Sequence, residues 1–232
     1  MSFPYKHVLL IGATAGIGKA MADHFISQGI KVTAVGRRKE RLDAFSHPTI
    51  DAVFLNAGRQ GHYSFSDPSS VSLKQFNHEI TTNFTALVAL THAFLPHLLT
   101  HPTPTALLFT GTGVSLVPAF PLPAYSASKA ALDAFIVCIH EQLRDTQVSV
   151  LHLIPGPVQT EMHDAEMGER GKHFGMPIGQ FVEEAWAGLT KGEKDIFVGT
   201  VGGSTFEQVK ELQDKRNGAI DRLSGSLRNF GI

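Results

Sequence analysis

Tyr125-Ser126-Ala127-Ser128-Lys129 sets a phenol and an ammonium four residues apart, at the start of an Ala-rich stretch. Four residues is about one helical turn, so both side chains project from one face. A phenol alone is a weak acid near neutrality, with a reference pKa of about 10. A cation held beside it stabilises the phenolate and draws that value toward the working pH, where proton transfer is efficient. The pair therefore predicts general acid–base chemistry. The same spacing also arises by chance on amphipathic helices, so the surrounding chain must supply something for the acid to act on.

Strands, glycine-rich turns and helices alternate around it. Val8 to Ile11 is an apolar run ending at Gly12, and helical spacing follows through Ala20, Met21, His24 and Phe25 to Gly29. Lys31 to Val35 reads as a second strand, Arg37 to Phe45 as a charged helix and Asp51 to Leu55 as a third strand. A long helix is expected from Leu73 to Leu99 and a strand from Ala106 to Phe109. The Tyr125 helix should run to Arg144, followed by a strand from Val148 to Ile154. Phe181 to Leu189 is a further helix, Asp195 to Val198 a short strand, and Ser204 to Asn229 a polar helical tail. Near-continuous apolar strands are those of a parallel sheet covered on both faces. The pattern predicts an α/β fold: one doubly wound, Rossmann-type domain over 1–232, with a parallel sheet of about six strands flanked by helices. Ligands of such sheets bind outside the carboxyl ends of the strands. Gly12, Asn56, Thr110 to Gly113 and Pro155 to Thr160 all follow strand ends, and so converge there.

The turn Gly12-Ala13-Thr14-Ala15-Gly16-Ile17-Gly18 joins the first strand to the first helix. Gly12 permits the tight turn, Gly16 lets backbone approach a pyrophosphate, and Gly18 lets helix pack closely on strand. The helix N-terminus favours the negative charge. A dinucleotide site is expected. At the end of the second strand, Gly36-Arg37-Arg38 stands where an acidic reader of a ribose 2′-hydroxyl would be needed. Two guanidiniums suit a 2′-phosphate instead, with a hydroxyl contact from Thr14, so NADP(H) is expected. Arg37 is the stronger candidate. Arg38 fits a solvated helix face equally well.

Net charge is −1 and charged residues make up 18% of the chain, which gives no electrostatic case for nucleic acid or an anionic membrane as partner. No apolar run approaches the ~20 residues that span a bilayer. The first strand begins at Lys6, leaving no room ahead of it for a signal peptide, and a cytoplasmic protein is expected. The single cysteine, Cys138, reads as a buried thiol in an apolar helix. The twelve histidines lack metal-site grouping and are assigned to surface and packing.

Taken in order, Gly12-x-x-x-Gly16-x-Gly18, Asn56-Ala57-Gly58, Asn83 in Thr82-Asn83-Phe84, Tyr125-x-x-x-Lys129 and Pro155-Gly156-Pro157-Val158-Gln159-Thr160 cover most of the chain. In these motifs the chain resembles the short-chain dehydrogenase/reductase family. The resemblance implies that Tyr125 is the general acid in reduction and the base in oxidation. It implies that Lys129 lowers the Tyr125 pKa and holds the nicotinamide ribose, and that Asn83 maintains a water-linked proton path. Asn56, Ala57 and Gly58 would shape the adenine-ribose side. Val158 and Thr160, after Pro155 and Gly156, would bind the carboxamide. Hydride transfer to a carbonyl builds negative charge on oxygen, which a positioned acid and hydroxyl must meet.

Two departures from the family pattern stand out. Its catalytic serine falls on Thr112, which keeps the hydroxyl but adds a methyl. Ser115 competes for the role, three residues nearer Tyr125, and Thr112 is preferred. Phe45 to Asp51 also bridges directly from the arginine segment to the third strand. One β-α unit of roughly thirty residues is therefore missing. The second strand should become a sheet edge, and the adenine should be held weakly or by a replacement wall at Ser46 to Thr49.

The family places its substrate lid after the carboxamide loop, here at about 161–180. Met162, Met167, Phe174 and Met176 stand there among four glycines, suggesting a mobile, adaptable apolar wall, with Phe120 and Leu122 opposite. A medium-sized apolar ketone, aldehyde or alcohol is the expected substrate. Competing readings are a non-redox isomerase or cyclase on the same scaffold, and a catalytically silent nucleotide-binding protein. The family pairs the Leu73 and Tyr125 helices across subunits, which implies a homodimer or homotetramer.

Overall fold

The structure is a computed structural model that describes residues 3–36 and 49–230. The expected charged helix, Arg37, Arg38 and most of the expected adenine wall lie outside the described residues.

Six strands form one parallel sheet: β1 (His7–Ile11), β2 (Lys31–Val35), β3 (Ala52–Leu55), β4 (Thr105–Thr110), β5 (Val148–Pro155) and β6 (Asp195–Val198). Their order is β2-β1-β3-β4-β5-β6, so among the described residues β2 is an edge. Side chains alternate across the pleat. Val8, Leu10, Phe54 and Leu108 face helices α1 (Gly16–Ser27) and α6 (Ile178–Lys191), which contribute Met21, Phe25, Phe181 and Ala185. Leu9, Val53, Leu55, Leu107 and Phe109 face α3 (Ala86–Thr100) and α4 (Pro123–Gln142), which bring Leu87, Leu98, Leu132 and Ile136. Burial on both faces explains the unbroken apolar strands. Asp51 pins β1 at its entry: its two carboxylate oxygens accept from the Lys6 and His7 amides at 2.7 and 2.8 Å.

The helix expected from Leu73 to Leu99 is not continuous. It comprises α2 (Leu73–Ile80), a π-helical turn over Thr81–Thr85, and α3. Such wide turns recur at functional sites, and Asn83 sits buried at the centre of this one. The region after β5 folds as α5 (Glu161–Met167) and a 3₁₀ turn over Gly168–His173. Met176 packs against the core beside α6, and its backbone pairs with Val158 in an isolated parallel bridge. The tail is α7 (Phe206–Asn229), opened by a capping box between Thr205 and Gln208 and tied to α4 by Arg216 to Asp133 and Arg228 to Glu141.

Cys138 is exposed, contrary to the sequence expectation. The buried face of α4 follows Ser128, Leu132 and Ile136. Two residues beyond Ile136 is about 200° around the helix, which puts Cys138 on the outer face with exposed Ala127 and Ala134. No described helix is long and apolar enough to cross a membrane.

Candidate active site

The carboxyl ends of β1, β3, β4 and β5 open on one crevice, and the motif residues meet there. Gly12 has φ +88° and Gly16 φ +52°, backbone that favours glycine. A Cβ on Gly12 would lie 2.8 Å from the Ala57 backbone, and one on Gly18 only 2.1 Å from the Gly12 carbonyl oxygen. The turn is thus packed directly against Asn56-Ala57-Gly58. The N-terminus of α1 carries no side-chain cap and no acidic residue in its first turn. Its outward amides and partial positive charge are left for an anion, so these residues fit a pyrophosphate. Ile17 packs against the core from the first turn of α1.

Asn56 cross-braces the crevice floor. Its Nδ2 donates to Gly12 O at 3.1 Å and its Oδ1 accepts from the Thr110 hydroxyl at 2.8 Å. Thr14 is buried against Gly36, where a Cβ would approach its methyl to 2.5 Å. Thr160 faces Gly16 across the opening, 3.3 Å from where a Cβ would stand. Gly156 donates to Val198 O, and Val158 is buried. The loop after Pro155 is therefore anchored on β6 and its end is brought over the glycine turn.

Tyr125 stands half-buried at the first turn of α4, with Thr112 as its hydroxyl partner. Ser115 instead donates back to the Thr112 carbonyl at 2.8 Å. Of the two candidates for the serine position, Thr112 is the one that lowers the phenol, and Ser115 turns into its own loop. Asn83 holds three partners. Its side chain bonds both the amide and carbonyl of Arg59 at 2.9 Å, and its Nδ2 reaches Ser128 Oγ at 3.0 Å. Ser128 in turn donates to the Tyr125 carbonyl at 2.8 Å. The π-helical turn is what brings this amide inward between the Arg59 loop and α4.

The electrostatics differ from the sequence expectation. Lys129 Nζ is 5.9 Å from the Tyr125 ring centroid and donates to Thr110 O at 2.8 Å. Burial pulls the Lys129 ammonium down to about 8. Burial and then the Glu79 charge push the Tyr125 phenol up to about 12, against the hydrogen bond with Thr112. Burial, which spacing alone does not reveal, is the largest influence on the phenol.

The sequence does not single out Glu79, Tyr63 or Ser128, and it marks Thr110 only as one of the residues after a strand end. Glu79 is fully buried one turn before Asn83 and accepts from the Tyr63 hydroxyl at 3.2 Å. Its four-residue spacing from Asn83 on an otherwise polar helix was the available signal. Thr110 acts through its carbonyl and hydroxyl and Ser128 through one short hydroxyl, groups that leave no distinctive spacing. Phe120 is 95% exposed, and Met162, Met167 and Phe174 are also exposed.

A glycine-turn crevice on a doubly wound sheet, with tyrosine, lysine, asparagine and a hydroxyl gathered at its rim, defines a nucleotide-dependent oxidoreductase architecture. The chain belongs to the short chain dehydrogenase family, whose profile matches residues 6–48 and 45–170. It is 28% identical to the uncharacterized oxidoreductase DltE of Bacillus subtilis (strain 168), over 96% of each chain. The closed form of serine dehydrogenase complexed with NADP+ matches with a TM-score of 0.71 at 25% identity, over 83% of this chain and 94% of that one. A short-chain dehydrogenase from Sphingobium yanoikuyae in complex with NADPH shares the fold, with a TM-score of 0.76 at 21% identity over 93% of this chain and 95% of that one.

Proposed function

We propose that this oxidoreductase binds NADP(H) across the glycine turn and transfers hydride between it and a carbonyl or alcohol substrate, with Tyr125 as general acid/base. The observation that carries this reading is the Tyr125 phenol beside the Thr112 hydroxyl, on the helix turn that also bears Lys129. The NADP+ of the serine dehydrogenase complex and the NADPH of the Sphingobium yanoikuyae complex support the choice of cofactor. So do Arg37 and Arg38 in the sequence.

The roles follow from charge and geometry. Gly12, Gly16, Ile17 and Gly18 present backbone to the pyrophosphate. Thr14, together with the Arg37 and Arg38 of the sequence, would read the 2′-phosphate. Asn56, Ala57 and Gly58 border the adenine-ribose side. Pro155, Gly156, Val158 and Thr160 frame the carboxamide. The nicotinamide, when bound, supplies or accepts the hydride. Tyr125 and Thr112 then meet the substrate oxygen, where negative charge grows in reduction, and preorganised donors there lower the barrier. With its phenol held near 12, Tyr125 carries its proton at neutral pH but is a weaker acid than a free phenol, and the negative charge growing on the substrate oxygen must draw that proton off. Lys129, near 8, is mainly charged there and can steer a ribose hydroxyl. Asn83 keeps Arg59 and Ser128 in place behind the pair.

The segment 161–180 is part of the same proposal as a substrate lid within one domain spanning 1–232. Its exposed Met162, Met167 and Phe174, with Phe120 opposite, favour an apolar carbonyl substrate. Exposed Ala89 and Ala93 on α3, with Ala127 and Ala134 on α4, favour a homodimer or homotetramer joined across these helices. A single thiol without an internal disulfide partner suits a cytoplasmic site of action. The test is consumption of NADPH, followed by its near-ultraviolet absorbance, with a panel of ketones, aldehydes and diketones, repeated with NADH. Turnover with NADPH and poor turnover with NADH is expected. Binding of NADPH without turnover across the panel contradicts the reading.

A further inference from the structure

Beneath the loop that carries Thr112, a second set of polar side chains is buried between α4, β5, β6 and α7. His152 on β5 is 3% exposed, and Asp133, one turn after Lys129 on α4, is 6% exposed. His152 Nδ1 stands 3.5 Å from Asp195 Oδ1 on β6 and 3.8 Å from Asp133 Oδ1. Arg216, reaching in from α7, lies 2.5 Å from Asp133 Oδ2, and Asn217 donates to Asp195 Oδ2 at 3.5 Å. Burial pushes the Asp195 carboxyl up, but His152 and Asn217 outweigh it and hold it below its usual range. With two carboxylates before it, Nδ1 is assigned the ring proton, which leaves Nε2 as a bare acceptor.

That Nε2 is buried and has no hydrogen-bond partner among the described residues. It points at Gly111: a Cβ on Gly111 would lie 2.0 Å from it. The edge of the imidazole thus fills the space a side chain at residue 111 would take. Folded proteins leave few buried polar atoms unpartnered, and each calls for a reason. The reason here is position. Gly111 joins Thr110, whose carbonyl accepts from Lys129, to Thr112, whose hydroxyl meets Tyr125. The Gly111 amide is fixed from the same side, donating to Leu153 O at 2.8 Å.

We propose that His152 is a positioning residue: its ring, clamped by Asp133 and Asp195, buttresses Gly111 and so holds Thr112 against Tyr125 in register with Lys129. This rests on the reading of Tyr125 and Thr112 as the acid and its hydroxyl partner. Asp133 sits on the helix that bears Tyr125 and Lys129, so one ion cluster fixes both sides of the site. Arg216 extends that cluster to α7.

The test combines His152→Ala, which removes the buttress, with Gly111→Ala, whose methyl collides with it. Each single variant is expected to lower kcat about tenfold or more while the NADPH dissociation constant stays within about threefold. In the double variant the new methyl occupies space the ring has vacated, so it should turn over faster than either single variant, the signature of direct contact. Wild-type kcat in His152→Ala overturns the proposal, as does a double variant as slow as the two losses multiplied. His152→Asn, which keeps a donor toward the carboxylates but loses the ring edge, should show the same loss of kcat if the alanine variant does not fold; wild-type kcat in it overturns the proposal.

A second readout needs no turnover. The chain has three tyrosines, Tyr5, Tyr63 and Tyr125. With fluorotyrosine incorporated and Tyr125 assigned by Tyr125→Phe, the fluorine resonance of Tyr125 should move in the His152 variant that folds, while that of Tyr5 does not. An unmoved Tyr125 resonance overturns the proposal. If the unaltered protein reduces none of the carbonyls, the oxidoreductase reading falls alone, and the fluorine resonance still decides the role of His152.

Discussion

Lys129 Nζ donates to the Thr110 carbonyl at 2.8 Å, from inside the crevice that also holds the Tyr125 phenol. The ammonium is buried and its charge is held there at a cost. Its fall from 10.5 to about 8 corresponds to roughly 3 kcal/mol against the charged form. The hydrogen bond to Thr110 returns about 1.5–3 kcal/mol as a charged donor. The two are comparable.

Lys129→Met should therefore leave the ligand-free protein as stable as before or more so, raising its melting temperature by up to a few degrees. The same variant should lose nearly all turnover. Thermal unfolding at neutral pH, paired with the NADPH assay, measures both. A marked drop in melting temperature would show that the Thr110 bond outweighs the buried charge.

The two shifted groups give stability a definite pH dependence. Between about 8 and 10.5 the unfolded chain binds the Lys129 proton and the folded chain does not, so ligand-free stability gains from Lys129 as pH rises through that window. Tyr125 works in the opposite sense. Between 10 and about 12 the folded chain keeps a proton the unfolded chain has lost, and stability falls with rising pH. Denaturant midpoints of the unaltered protein against Lys129→Met and Tyr125→Phe should separate the two slopes. Parallel profiles for all three proteins would contradict the assignment.

Glu79→Gln removes a negative charge that, after burial, raises the Tyr125 phenol. Tyr125 should then ionise at lower pH. In alcohol oxidation, which needs the phenolate as base, the rising limb of the pH profile should shift to lower pH. Reduction near neutrality, where the phenol is already protonated, should change little. An unshifted oxidative limb would mean that Glu79 does not act on Tyr125.

Thr112→Val removes the hydroxyl at constant shape and should cost about 100-fold or more in kcat, as expected for loss of a donor at a developing oxyanion. Ser115→Ala should stay within about threefold, because that hydroxyl is turned onto the Thr112 carbonyl. The reverse ranking would move the role to Ser115.

Much of this arrangement was legible in the residues. Apolar runs closed by Gly12, Gly36 and Gly58 mark three strands, because parallel strands buried on both faces must be apolar throughout. Among the described residues β2 stands at the sheet edge. What spacing could not show was depth. Cys138 lies in an apolar stretch yet faces outward, since the buried face of α4 passes through Leu132 and Ile136. Lys129 and Tyr125 were rightly paired by their four-residue spacing. The direction of the Tyr125 shift was missed because burial and Glu79, not Lys129, dominate it. His152 read as packing, and only the fold sets it beneath Gly111.

Tyr125→Phe tests the central claim most directly, because it removes one hydroxyl and leaves the helix turn and the cofactor crevice intact. NADPH binding should remain within about threefold of the unaltered protein, while kcat for carbonyl reduction falls by about 100-fold or more. Retained turnover in Tyr125→Phe, with NADPH bound normally, would contradict Tyr125 as the proton donor.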